Sequence, residues 1–214
     1  MSFQGFPQET LDFLAELGAH NDREWFETRR EDYERWYVEL GRHFVVAAGE
    51  RLRKIAPGIH AEPRILGSIF RINRDIRFSK DKRPYKDHLD FWFWDGDRSG
   101  AVSGFFSRIS PQLVGIGAGS HGFDAGQRSA FREAMEKPAA RSRLEQIAST
   151  LARSGYTLSS PATPAARSLY VHVDDPAGLA LKPELLDRCA EHWHHLLPLH
   201  RWLVDHVQLP IATG

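Results

Sequence analysis

Cysteine is almost absent from this sequence. A single residue, Cys189, in 214 excludes an internal disulfide framework and any cysteine-rich zinc module. Long apolar runs are missing too. No stretch approaches the roughly 18 apolar residues of a membrane span, so no spanning helix is expected. The opening Met1-Ser2-Phe3-Gln4-Gly5-Phe6-Pro7 has neither a basic n-region nor an apolar h-region. No secretory signal is read from it, and the cytoplasm is the expected location. Net charge is also lacking. The 28 basic and 28 acidic residues cancel, so no whole-chain charge argues for nucleic acid or an anionic membrane. Neither a Gly-x-Ser-x-Gly elbow nor a Walker loop is present.

Aromatic residues, by contrast, are plentiful: six Trp, five Tyr and thirteen Phe. They point to an aromatic-rich core or an aromatic-walled cleft. The length suits one large domain, taken here as residues 1–214.

The first third reads as helix. Pro7 suits a first helical position, and Leu11, Phe13, Leu14 and Leu17 follow before Gly18. Asn21 with Glu24 three residues on resembles a capping box. Apolar residues then recur at helical spacing from Trp25 to Ile55, with a break near Thr28 and a stop at Pro57-Gly58. The middle reads as strands over residues 65–72, 88–94, 102–109 and 113–118. In the second of these Leu89, Phe91 and Phe93 face one way, and Asp90, Trp92 and Trp94 the other. Ser110-Pro111-Gln112 makes a hairpin turn, and the short links predict an antiparallel meander. The last third returns to helix over 125–136, 139–154 and 183–207, the last interrupted by Pro198, with one more strand over 168–173. N-terminal helices, a central antiparallel meander and C-terminal helices packed on the sheet make an α+β fold.

One segment stands apart chemically. Residues 64–88 carry eight cations (Arg64, Arg71, Arg74, Arg77, Lys80, Lys82, Arg83, Lys86) against Asp75, Asp81 and Asp87, eight minus three, a local +5. Arg offers planar bidentate donors to phosphate or carboxylate, and Lys adds a point charge. Arg71, Arg74, Arg77, Ser79, Lys82 and Lys86 are therefore candidate ligand-binding residues for an anion. Asp75 and Asp81 are candidate bases or oxygen ligands for a hard metal, and Tyr85 a polar orienter. The expected partner is a phosphorylated or other anionic small molecule. A second reading is a single-stranded nucleic-acid module, with Trp92 and Trp94 stacking bases. A third is a non-catalytic interaction domain whose charges form an internal salt-bridge network. No cofactor is read from the sequence.

This stretch resembles the central signature of the family catalogued as domain of unknown function 2461. The positions that carry the likeness are Arg71, Arg74, Asp75, Arg77, Phe78, Ser79, Asp81, Lys82, Pro84, Tyr85 and Lys86. Phe3, Gly5, Phe6, Asn21, Trp25, Phe26 and Tyr33 fit the family's opening. Gly104-Phe105-Phe106, Ile109-Ser110-Pro111 and Gly117-Ala118-Gly119 are similar to its hairpin, and the likeness spans residues 3–207. The resemblance implies no activity, cofactor or catalytic residue.

Other motifs carry less. Gly117-Ala118-Gly119-Ser120-His121-Gly122 matches the dinucleotide fingerprint literally, but it follows an antiparallel hairpin rather than a βαβ unit. The alternating Gly115, Gly117 and Gly119 instead predict a bare strand face for close packing or ligand approach. His192, His194, His195, His200 and His206 crowd one helical region, whose apolar stripe Leu185, Leu186, Cys189, Trp193, Leu196 and Leu197 explains it without a metal. Those histidines are expected at the surface, and Cys189 is expected to be a buried structural residue.

Overall fold

The computed structural model describes residues 3–98 and 100–208. Helix α1 (Gln8–Ala19) buries Leu11, Phe13, Leu14 and Leu17, one apolar face at helical spacing. A short α2 (Arg23–Thr28) and a single turn, α3 (Arg30–Asp32), follow, divided at the break near Thr28. A π-helical stretch (Tyr33–Glu39) then leads into α4 (Leu40–Ile55). The α2 cap is Asp22, whose side chain accepts from the Trp25 N–H. Asn21, which the spacing to Glu24 nominates, is engaged elsewhere.

Five strands form one antiparallel sheet in chain order: β1 (Ile59–His60), β2 (Leu89–Asp95), β3 (Gly104–Ile109), β4 (Leu113–Ser120) and β5 (Leu169–Pro176). Ser110 closes the β3–β4 turn, donating to the Leu113 carbonyl and accepting from the Leu113 N–H. Helices α5 (Ala125–Glu136) and α6 (Pro138–Arg153) lie between β4 and β5 in the chain. A 3₁₀ turn (Ala177–Leu181) leads from β5 to α7 (Leu185–Val207). The molecule is α+β, with α4 and α7 on one face of the sheet.

Pleat and register sort the side chains. Phe91, Phe93, Phe105, Ile116, Ala118 and Val171 face the helices and are buried. Trp193 of α7 packs edge-on against Phe93 at 5.6 Å, and Phe44 of α4 lies 4.5 Å from Phe91. The opposite face carries the rows Asp90–Arg108–Gly115–Asp174, Trp92–Phe106–Gly117–His172 and Trp94–Gly104–Gly119–Tyr170. Among the described residues no helix covers those rows in the way α4 and α7 cover the inner face.

Four expectations are corrected. Residues 65–72 form no strand of the sheet. Leu66 adopts φ +62°, and the Leu66 and Gly67 N–H groups close a tight turn onto Ile69 and Arg64. Only Ile69 bridges to Phe91, and the apolarity of the segment goes into burying Ile69 and Ile72. Strand β5 runs on to Pro176, because its whole length pairs with β4. Pro198 does not interrupt α7; the buried Leu196, Leu197 and Leu199 around it hold the helix through the one missing N–H. His192 and His200 are buried, not superficial. His192 Nδ1 meets the Tyr156 hydroxyl at 2.9 Å, and His200 Nδ1 meets Ser103 Oγ at 3.0 Å. Cys189 is buried as expected, and that burial pushes its thiol well above the ordinary range. Among the described residues no helix is long and apolar enough to cross a membrane.

His200 generates a pH prediction. Burial pushes its pKa down to about 4, and Asp95, with Oδ2 at 4.0 Å, only partly offsets that. The folded pKa lies below the unfolded one, so the unfolded chain binds more protons between them. Stability present above about pH 6.5 is therefore lost as pH falls toward 4, by about 3 kcal/mol from this residue. Urea unfolding at about pH 7 and about pH 4.5 checks this. His200→Gln should flatten the pH dependence relative to the parent; an unchanged difference would remove His200 from the account.

Candidate functional site

The basic segment folds as a finger projecting from the sheet edge. Its two sides pair through Arg74 N–H to Pro84 O and Lys86 N–H to Ile72 O, both 2.8 Å, with a bridge between Asn73 and Tyr85. The base is clamped by Asn21. Its side chain accepts from the Tyr85 N–H at 2.9 Å and donates to the Tyr85 carbonyl at 3.1 Å. The Tyr85 ring stacks on Phe26, centroids 4.2 Å apart, and is buried. That burial, more than nearby Glu27, raises the phenol above its usual range.

Most charges in the finger bind one another. Arg74 donates to Asp81 at 2.8 Å and to the Arg83 carbonyl at 3.1 Å. Asp81 also accepts from the Arg83 guanidinium and backbone N–H, and these bonds hold its carboxyl far below the usual carboxylate range. Asp75 accepts from the Arg77 guanidinium and from its N–H at 3.2 Å, which likewise lowers its pKa. Lys82 donates to the Ile76 carbonyl at 3.0 Å. Ser79 donates its backbone N–H to Ile76 O at 3.3 Å. Asp75 and Asp81 are thus anions with their acceptor capacity largely used, a poor starting state for a proton acceptor. Arg71, at the finger's root, is exposed and forms no ion pair among the described residues.

Beside that root the open sheet face forms a cleft of about 660 Å³. Glycines shape its floor. A Cβ at Gly117 would lie 2.3 Å from Phe106 Cζ, and one at Gly104 would lie 2.0 Å from Trp92 Nε1. The two rings therefore lie across neighbouring strands where side chains would otherwise stand. His172, above Gly115, is held by Asp174 through Nε2. His121, just past β4, packs on Tyr170 at 4.0 Å and Phe106 at 4.6 Å.

The charged end of the cleft centres on Asp90, whose side chain is 17% exposed. Arg108 grips it bidentately at 2.7 and 3.1 Å, His88 Nε2 lies at 3.3 Å, and Lys86 Nζ at 3.9 Å. Burial alone would raise the carboxyl, but the bonds from His88 and Arg108 outweigh it, so it stays well below its ordinary value. Lys86 Nζ also sits 4.8 Å from the ring centroid of Phe70, a cleft residue. Its pKa is lowered by burial first; attraction to Asp90 opposes this, and repulsion from Arg108 and Arg71 adds to it.

The family described as conserved hypothetical protein, DUF2461, matches residues 9–202, most of the chain. The chain belongs to that family. Neither a curated protein nor a solved structure matches it.

For this DUF2461 member the structure separates the sequence-nominated residues into three groups. Arg74, Asp81 and Tyr85 brace the finger. Asp75, Arg77, Ser79 and Lys82 lie toward its tip. Lys86 reaches the cleft end through Asp90 and Phe70, and Arg71 follows Phe70 in the chain. Sequence reasoning missed Arg108, His121, Tyr170 and His172. A signal for the cleft did exist in the alternation of β2 and in the three spaced glycines of β4. The partner strand β5 carries no such mark. In chemical terms the cleft offers flat stacking surfaces, a cluster of cations, and one imidazole, His121, without a hydrogen-bond partner among the described residues. Burial lowers its pKa first of all, and repulsion from His172 and Arg108 adds to the effect, so the neutral ring is favoured. Among the described residues no three metal-ligating side chains converge. A second groove, about 550 Å³ between α6 and α7, is lined mainly by outward polar side chains such as Ser142, Glu145 and Arg153.

The clamp yields a prediction. Asn21→Ala removes two part-buried hydrogen bonds to one residue, a loss of about 1–3 kcal/mol. Amide hydrogen exchange at Arg74, Tyr85 and Lys86 should quicken by roughly tenfold or more while the sheet amides of β3 and β4 keep their protection. Equal protection in parent and variant would show that the finger is not held by Asn21.

Proposed function

We propose that the cleft binds a small organic ligand bearing both a flat ring and an anionic group, most simply a phosphate ester. The ring lies against Trp92, Phe106 and Tyr170, and the anion against Lys86, Arg108 and Arg71. The observation that carries this is electrostatic. Two partly buried cations, Lys86 and Arg108, share one carboxylate, and Lys86 feels repulsion from Arg108 and Arg71 that a bound anion would relieve. The aromatic floor supplies the contact area that charge alone does not, and the volume suits a ligand of nucleotide or sugar-phosphate size. In this reading Arg74, Asp81 and Tyr85 position the root, and any anion role of Arg77, Ser79 and Lys82 concerns the tip rather than the cleft.

A thermal-shift and calorimetric panel of nucleoside monophosphates, sugar phosphates, inorganic phosphate and sulfate tests the proposal. A ligand at about 100 times its Kd stabilises by about 2.7 kcal/mol, readily seen as a shift in Tm. Lys86→Glu is expected to weaken the best ligand by roughly tenfold or more, and Trp92→Ala to weaken ring-bearing ligands but not sulfate. Failure of every anion to shift Tm, or equal affinity in Lys86→Glu, would overturn it.

A further inference from the structure

The tip of the finger has a property that cleft binding does not use. Phe78 is 96% exposed, far above any other large apolar side chain described. Full burial of such a ring is ordinarily favourable by about 1.5–3 kcal/mol, and the fold gains none of it here. The tip is nonetheless well braced. Arg74 ties the two sides together, Lys82 caps the Ile76 carbonyl, and Asp75 and Asp81 each close a turn onto a backbone N–H two residues on. Ordering a side chain's surroundings in this way lowers the cost of binding through it.

Charge narrows the occupant. Residues 75–83 hold Arg77, Lys80, Lys82 and Arg83 against Asp75 and Asp81, four minus two, +2. Both carboxylates are taken up by arginines, which leaves the tip net cationic. Lys80 makes no ion pair or hydrogen bond among the described residues. Arg77, its side chain 77% exposed, lies 6.0 Å from the Phe78 centroid and leaves most of the ring open. The occupant must therefore bring a planar apolar surface and negative charge at short, regular intervals. A nucleic-acid single strand does so, with one phosphate per base. Anionic lipid headgroups and an acidic peptide both bring charge, but neither brings a planar ring to stack on Phe78.

We propose that the finger tip, residues 77–82, is a docking point for single-stranded nucleic acid, with Phe78 stacking on one base and Arg77, Lys80 and Lys82 meeting the flanking phosphates. The zero net charge of the whole chain makes this a local, salt-sensitive contact. It is independent of ligand binding in the cleft.

Fluorescence anisotropy with end-labelled oligothymidylate and a mixed-sequence RNA of about ten nucleotides, at low salt, tests it. Phe78→Ala should weaken binding roughly 5- to 150-fold, the range for removing one stacked base. Phe78→Trp should keep the affinity and show quenched indole fluorescence on titration. Lys80→Glu should weaken binding and flatten the dependence of log K on log salt by about 0.7 for each phosphate no longer neutralised. Both positions are at the exposed tip, so circular dichroism and Tm of the three variants should match the parent. Absence of binding at low salt overturns the proposal, as does an affinity indifferent to Phe78→Ala. Tighter Phe78-dependent binding of polyglutamate, or of phosphatidylserine vesicles, would assign the tip to an acidic protein segment or a membrane surface and equally overturn it.

Discussion

The open face of the sheet depends on rings occupying the space that glycines leave. Trp92 lies over Gly104, Phe106 over Gly117 and His172 over Gly115, each at a distance no Cβ would allow. The opposite face is packed by α4 and α7, where much of the buried apolar core lies. What remains is a floor of aromatic carbon laid flat, with backbone beneath it. A sheet face built of ordinary side chains would stand proud and fill the volume. Here the missing side chains turn the same five strands into a cleft.

The charged rim follows from that floor. Asp90 and Arg108 are cross-strand partners in β2 and β3, so their pair is fixed by register rather than by flexible loops. Lys86 arrives from the finger and closes on the same carboxylate. The finger can deliver it because Asn21, Tyr85 and Arg74 hold its base against α2 and against itself. The basic segment thus has two ends with different settings. At the root, cations gather around one partly buried carboxylate beside an apolar floor. At the tip, they surround a ring that the fold leaves in solvent.

Element types are legible in the sequence, and partnerships much less so. The alternation of β2 separates Leu89, Phe91 and Phe93 from Asp90, Trp92 and Trp94, and the structure keeps that division. The Ser110 turn marks the β3–β4 hairpin, and helix 125–136 falls where its periodicity puts it. These are local patterns with local causes. Pairing of β4 with β5 spans two intervening helices and has no local cause, so sequence alone does not bring His172 and Tyr170 to the cleft. Asn21 meets Tyr85 across 64 residues, and its identity says only that it can bond to backbone. Residues 65–72 are apolar enough for a strand, but the φ +62° turn at Leu66 spends the hydrogen bonds of its first residues locally and leaves only Ser68 and Phe70 bonded to β2. Polarity alone assigns the α7 histidines to the surface; His192 and His200 are buried because Tyr156 and Ser103 satisfy them. The charge run marks the right segment, yet charge alone does not tell a braced arginine such as Arg74 from an unpaired one such as Arg71.

The proposal is one of place: it puts the anion at the cleft end, between Lys86 and Arg108. A two-dimensional NMR titration of the isotopically labelled protein with a ring-bearing phosphate monoester locates binding directly. The account predicts saturable shifts at the amides of Phe70, Lys86, Trp92, Arg108 and His121 and at the Trp92 indole. Shifts confined to residues 75–83, or to the groove between α6 and α7, would contradict it.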